Sequence, residues 1–282
     1  MYNQSIDSGS GNKYLARLII LKALFSHSRW KPLLSWLIPF LLFLLWEYAC
    51  RSAWIMPEIL PAPSKVFSAA VDLFRDGTLQ RDLLVSMSRA AIGWGIGAAV
   101  GFSLGLAVGF SIIVGVLLDR TIQMMRAIPF LAMLPLVIVW FGVGEEQKIF
   151  MVALGVSFPM YINTTLGIRQ IDPKLFELAK VQKLSAFTTI RRIVFPAALP
   201  SILTGVRYSL ATAWLALVIA ETVGASSGIG FLAVDAREFL QTDIIVLTIV
   251  IYALIGMSAD AVARALERHF LAWHANYAAD KS

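Results

Sequence analysis

Apolar positions in this chain run together for about twenty residues at a time, the length a helix needs to cross a bilayer. They do not alternate over about ten residues, as the strands of a membrane barrel would. Six such runs stand out: Leu33 to Ala53, Arg89 to Ile113, Ala127 to Val143, Ile149 to Ile168, Ile202 to Val223 and Ile244 to Ala263. In lipid only helices and closed barrels satisfy their own backbone. The pattern therefore predicts an all-α, polytopic helical membrane protein with about six transmembrane helices.

The polar segments between the runs have their own grammar. Leu60-Pro61-Ala62-Pro63-Ser64 is turn chemistry, and Ser64 is placed to cap an amphipathic helix reaching about Phe74. Gly142 to Gln147 and Ala225 to Gly230 read as outer loops, the second followed by a short helix over Ala233 to Gln241. The longest polar interruption of the second half runs from Arg169 to Pro200. Asp172-Pro173 there is a cap followed by the residue favoured at the first helical position. Leu175, Leu178, Val181 and Leu184 recur at near-helical spacing. Ser185 can cap a second short helix with Phe187, Ile190 and Ile193 or Val194 on one side, stopped by Pro196 and Pro200. Arg169, Lys174, Lys180, Lys183, Arg191 and Arg192 make this helix pair basic, a surface suited to a soluble partner; the plainer alternative is a solvated connecting loop.

Four features lie inside the predicted spans. Gly93, Gly97, Gly101, Gly105 and Gly109 recur every four residues and share one helix face, which lets another helix backbone approach closely. Gly93-Trp94-Gly95-Ile96-Gly97-Ala98 lacks the preceding strand and downstream acid of a dinucleotide fingerprint. Pro129 and Pro135 must break or kink the third span, and broken helices are tolerated where they line a cavity or pack in protein. Arg207 and Glu221 sit near opposite ends of the fifth span. Arg207 can snorkel to the interface or attract a departing anion. Glu221 is expected to pair with Arg237 or with another subunit. Pro129, Pro135, Arg207 and Glu221 are the candidate pathway or gate residues.

Composition narrows the class. Only 15% of the 282 residues are charged and 58% are hydrophobic, against about 25% charged in a soluble domain. The net charge of +6 reflects cytoplasmic loops rather than nucleic-acid binding. The outer loops hold only Arg51, Lys65, Arg75, Arg81, Lys148 and Arg237; most other Lys and Arg fall on the inner side, which places both termini in the cytoplasm. Lys13, Arg17, Lys22, Arg29 and Lys31 precede the first span, after a short helix expected near Tyr14 to Phe25. No cleavable signal peptide is expected. Cys50 stands alone, so no intrachain disulfide forms. The histidines His27, His269 and His274 have no neighbours at metal spacing, no catalytic triad is present, and without a Gly-Lys pair there is no P-loop. The chain is expected to hold no catalytic residue, metal or cofactor of its own.

Glu177-Leu178-Ala179, Lys183-Leu184-Ser185, Ile193-Val194-Phe195-Pro196 and Leu199-Pro200 together resemble the signature cytoplasmic loop of bacterial ABC importer permeases of the type I, binding-protein-dependent class. The resemblance implies that fold, with Glu177, Leu178, Ala179, Lys183 and Leu184 as the loop coupled to a separate ATPase. Lys183 stands where the family has glycine, and Leu178 replaces an alanine. Leu60 to Ser64, Arg126 to Pro129, Trp140 to Gly144, Ala220-Glu221, Ser226 to Gly230 and Ala236 to Asp243 look like the branch importing aliphatic sulfonates, taurine, nitrate or bicarbonate, closest to the sulfonate permeases. It implies two ABC ATPase subunits that carry ATP and Mg, a periplasmic solute-binding protein, a second permease copy and an inner-membrane location. The expected organisation is a tail over 1–32, a first span and periplasmic loop over 33–81, a transmembrane core over 82–266 with the coupling loop at 169–200, and a tail over 267–282. An ion-gradient-driven secondary transporter is the rival class. It predicts paired ionisable groups within the spans and often an inverted repeat.

Overall fold

The computed structural model describes residues 31–273. The expected helix near Tyr14 to Phe25, Lys13, Arg17, Lys22, Arg29, His27 and His274 lie outside them. Two compact units divide between Ser64 and Lys65.

The first unit is built on α1, Lys31–Arg51, whose 21 residues reach about 30 Å. Trp36, Leu37, Ile38, Phe40 and the apolar residues following them are exposed, as a helix bathed in lipid requires. Glu47 closes its far end, accepting from Arg51 Nε at 2.6 Å and from Ser64 N and Oγ at 3.1 and 2.9 Å. Ser64 is thus turned toward Glu47 and does not cap. Helix α2, Pro63–Arg75, instead starts on Pro63, whose fixed φ suits the first helical position.

The second unit holds all of α2 beyond Ser64, and α3, Thr78–Phe110; α4, Ile112–Ala127; α5, Phe130–Phe141; α6, Glu145–Arg169; α7, Pro173–Val181; α8, Ala186–Thr189; α9, Phe195–Glu221; α10, Ile229–Glu238; and α11, Thr242–Phe270. Among the described residues no strand occurs. Among the described residues four stretches are long and apolar enough to cross a membrane: α3, α6, the continuous Ala186–Glu221 and α11. The bent pair α4–α5 makes a fifth if it counts as one span.

Two sequence expectations change here. The third span does not run straight over Ala127 to Val143. A 12-residue α5 reaches only about 18 Å, too short to cross alone, and α4 meets it at 99°. Pro129 makes the break: it disfavours helical geometry at the residue before it, and Ile128 is extended at φ −71°, ψ 125°. Pro135 stays within α5. Pro196 and Pro200, by contrast, stop nothing. A π-helical turn over Ile190–Val194 joins α8 to α9, with Phe195 N–H bonded to the Ile190 carbonyl. The wider turn absorbs the disruption of the ladder by Pro196, which then occupies the first turn of α9.

Helix α6 forms the centre, packed between α3 and α9. Lipid removes the usual hydrophobic drive between helices, so close contact of small residues must hold them together. A side chain at Gly93 would lie 2.6 Å from Val152 Cβ, at Gly105 2.6 Å from Thr164 Cβ and at Gly109 2.7 Å from Ile168 Cδ1. At Gly97 and Gly101 it would strike the backbone oxygens of Ala153 and Ser157. All five glycines therefore face α6. On its other side, Val152 and Val156 pack with Ala213, Ala216 and Leu217 of α9, while Met151 meets Leu134 and Val137 of α5 and Ala220. Helix α11 rests on α9 and α10 and leaves Ile249, Leu254 and Met257 exposed.

Candidate functional site

Three places carry the chemistry: the two-helix elbow after α6, a buried ion cluster at the far end of the bundle, and a cavity at the break between α4 and α5.

The elbow begins where Asp172 accepts from Lys174 N at 2.9 Å and caps α7. It closes with the Lys183 N–H bonded to the Lys180 carbonyl and the Leu184 N–H to the Ala179 carbonyl, both at 3.0 Å. Those two bonds are the Schellman ending, which puts its C′ residue in the left-handed region. That residue is Lys183, at φ 50°. Ser185 then caps α8 through Thr188 N at 3.2 Å. Ala179 is buried, but the apolar repeat is turned outward: Leu178 is 48%, Val181 80% and Phe187 72% exposed. Leu184 is half-buried, and Glu177, Lys174, Lys180, Lys183, Arg191 and Arg192 are exposed. No described residue pairs with Glu177. A left-handed lysine costs about 1 kcal/mol relative to glycine. Lys183→Gly is therefore expected to stabilise the turn by about that amount, seen as slower hydrogen exchange over 179–184, whereas Lys183→Ala should not.

At the other end of α9, Glu221 is fully buried, and its partner is Arg89 rather than the expected Arg237. Arg89 Nη1 lies 2.7 Å from Glu221 Oε1 and 2.7 Å from the Ser227 carbonyl. Its Nε and Nη2 fork onto Glu145 at 2.6 and 2.5 Å. Ser86 Oγ donates between the Glu221 oxygens at 2.8 and 3.0 Å. The first N–H groups of α10 are also held here: Ile229 N donates to Ser86 Oγ at 2.9 Å and Gly230 N to Glu221 Oε2 at 2.8 Å. Glu221 thus supplies the anionic cap that Gly228, at φ 113° and without a side chain, cannot. A Cβ on Gly228 would collide with that carboxylate. One cluster ties α3, α6, α9 and α10 together. Asp82, Ser86 and Arg89 continue the buried glycine face of α3; sequence reasoning missed them, and that shared register is the signal that could have found them.

Arg207 belongs elsewhere. It pairs with Asp260 of α11 at 2.8 Å, and Asp260 also binds Arg264. On the same half of the bundle Arg169 joins Asp119 at 3.0 Å, and Asp119 also accepts from the Tyr161 hydroxyl.

The cavity, about 740 Å³, opens at the broken helix. Pro129 lines it; Pro135, Arg207 and Glu221 do not. Phe130, Met133, Phe158, Leu215 and Ile219 make its apolar wall, and Arg126, Asn163, Tyr208 and Thr212 its polar positions. Neither Asn163 nor Tyr208 stood out in the sequence, where single polar residues in apolar spans have no pattern of their own.

A helical bundle with a broken helix lining a cavity and a protruding elbow defines a membrane permease. The chain belongs to the family of binding-protein-dependent transport system inner membrane components, whose family model matches residues 92–271. It is 50% identical over 242 residues to the putative aliphatic sulfonates transport permease protein SsuC of Escherichia coli strain K12, covering 86% of this chain and 92% of that one. The protein of that name in Bacillus subtilis strain 168 is 42% identical, covering 86% and 87%. The taurine transport system permease protein TauC of Escherichia coli strain K12 is 32% identical, covering 82% and 86%. A chain from the MetNI methionine ABC transporter, solved in inward-facing conformations, shares the fold with a TM-score of 0.55 at 19% identity, covering 67% of this chain and 95% of its own. The protein is thus a multi-pass inner-membrane permease subunit of an ABC importer, not an enzyme; ATP hydrolysis lies in a separate subunit.

Proposed function

We propose that this permease translocates an aliphatic sulfonate, with a second copy of the chain completing the path, a periplasmic solute-binding protein delivering the solute and two ATPase subunits docking on the elbow. ATP and Mg belong to those ATPases, and both termini of this chain face the cytoplasm. The relatives at 50% and 42% identity that bear the sulfonate name favour that solute over taurine, the cargo named for a relative at 32%.

One observation carries the coupling reading. From Ala186 the chain runs as 36 helical residues to Glu221, about 54 Å without a loop. A displacement at Phe187 therefore has one continuous helical path toward the ion cluster, without an intervening loop. The docking face is formed by Leu178, Val181 and Phe187, with Glu177 among them and the basic residues around it. Two ATPase states that contact this face differently shift the balance between outward-open and inward-open forms.

Glu177→Lys is expected to lower ATP-driven uptake of an alkanesulfonate about tenfold or more, because a reversed charge at a docked surface is strongly unfavourable. Membrane insertion and thermal stability should not change, since Glu177 is exposed and unpaired. Uptake at the normal rate in proteoliposomes containing the whole importer would remove Glu177 from the coupling surface.

A further inference from the structure

The lining of the cavity at the α4–α5 break has a one-sided chemistry. It includes one guanidinium, Arg126, and no carboxylate. Arg126, which is exposed, has no acidic partner among the described residues, a lack it shares with Arg120, Arg191, Arg192 and Arg268, whereas Arg169, Arg207 and Arg264 are each matched to an acid. The Tyr208 hydroxyl donates to no described residue. Asn163 spends one amide N–H on the Pro159 carbonyl at 2.9 Å and keeps the other. The Thr212 hydroxyl is committed to the Tyr208 carbonyl at 2.8 Å. The uncommitted groups are therefore mainly donors, and the single charge is positive. The rest of the lining includes Phe130, Met133, Phe158, Leu215 and Ile219, all apolar side chains.

We infer that this cavity is a transit site for an amphiphilic organic anion, its oxyanion head held by Arg126, Tyr208 and Asn163 and its alkyl tail laid against the wall of Phe130, Met133, Phe158 and Leu215. This rests on the importer reading above and deepens it: selectivity is then exercised by the permease as well as by the binding protein. A neutral solute would leave Arg126 uncompensated, and a cation would be repelled by it. An inorganic anion would satisfy the donors but forgo the apolar wall. The arrangement follows the usual design of small-molecule sites, mostly apolar with a few converging polar groups.

The test uses the permease–ATPase complex without binding protein and measures equilibrium binding of radiolabelled methanesulfonate, butanesulfonate and octanesulfonate, with butan-1-ol as the neutral probe. Butanesulfonate should bind and butan-1-ol should not. Arg126→Gln should weaken butanesulfonate about tenfold, the value of one charge-assisted contact. Leu215→Trp, which fills the apolar wall, should weaken octanesulfonate strongly and methanesulfonate little. That crossed pattern separates contact from general damage, because a misfolded variant loses all three anions together. Equal binding of butan-1-ol, or a chain-length profile that Leu215→Trp leaves unchanged, would overturn the site. So would absence of binding in a complex whose full importer, with its binding protein, still takes up alkanesulfonates. If that full importer takes up no alkanesulfonate, the sulfonate reading fails instead. The same variants are then measured with the solute it does carry: an organic anion affected as above supports the site, and a neutral or cationic solute ends it.

Discussion

Arg89→Met should destabilise the permease by about 3–5 kcal/mol, the usual cost of removing one partner from a buried ion pair. Glu221 would be left ionised with its side chain wholly buried and only Ser86 and the Gly230 N–H to hold it. The loss should spread, because the Arg89 fork also joins the start of α6 through Glu145 and the loop before α10 through Ser227. Thermal unfolding in detergent measures it. Adding Glu221→Gln to the Arg89→Met variant should recover part of the loss, since a neutral amide can be held by the same serine and backbone N–H without a charge to compensate. An Arg89→Met protein that melts with the parent would mean that Glu221 is neutral or solvated, and the cluster would lose its role as the tie among four helices.

The second large effect is expected at the α3–α6 contact. Gly101→Leu would place Cβ 2.8 Å from Met160 Cβ and nearer still to the Ser157 carbonyl oxygen. Backbone cannot step aside as a flexible side chain can, so the helices must separate along much of their seam. Overpacking costs about 1–3 kcal/mol in an ordinary core and occasionally more; here it also opens contacts at Gly97 and Gly105 on the same face. The expected result is a sharp fall in folded, monodisperse protein extracted from membranes. Gly95→Leu is the internal control. It lies on the same helix, a Cβ there meets nothing within 4 Å, and leucine is the better helix former. Similar losses for both variants would show that helix insertion, not close approach, was disturbed.

These two variants probe the contacts that hold α3, α6 and the end of α9 together. The glycine seam fixes α3 to α6, and the Arg89 cluster fixes both to the end of α9. On the coupling reading proposed above, a push arriving at the elbow would move a block rather than a single helix. The break at Ile128 and Pro129 divides α4 from α5 beside the cavity, where a change of angle would alter access to the lining. Close packing on one side and a proline break on the other follow from the same chain because the two depend on different residues.

The sequence alone determined whatever depends on neighbours within a turn or two. Helical crossings, the cap at Asp172, the elbow after it and the face shared by Gly93 to Gly109 all follow from spacing, because a helix brings residues three and four apart onto one side. The anomaly at Lys183 was marked only by the resemblance, as a lysine where the family has glycine, and only the backbone showed the positive φ. The tertiary structure decided the rest. Arg89 and Glu221 are 132 residues apart, and no local pattern marks them as partners; Arg237, much closer along the chain, was the natural but mistaken choice. Arg207 found Asp260 in the same way, 53 residues on. The fate of each proline also lay beyond local rules. Pro129 broke a span, Pro135 stayed within a helix, and Pro196 was absorbed by a π turn, since the cost of a missing N–H depends on what the surrounding helices and the widened turn can supply in its place. Ion pairs and cavities arise where separate helices meet, so the residues that form them become neighbours only after packing.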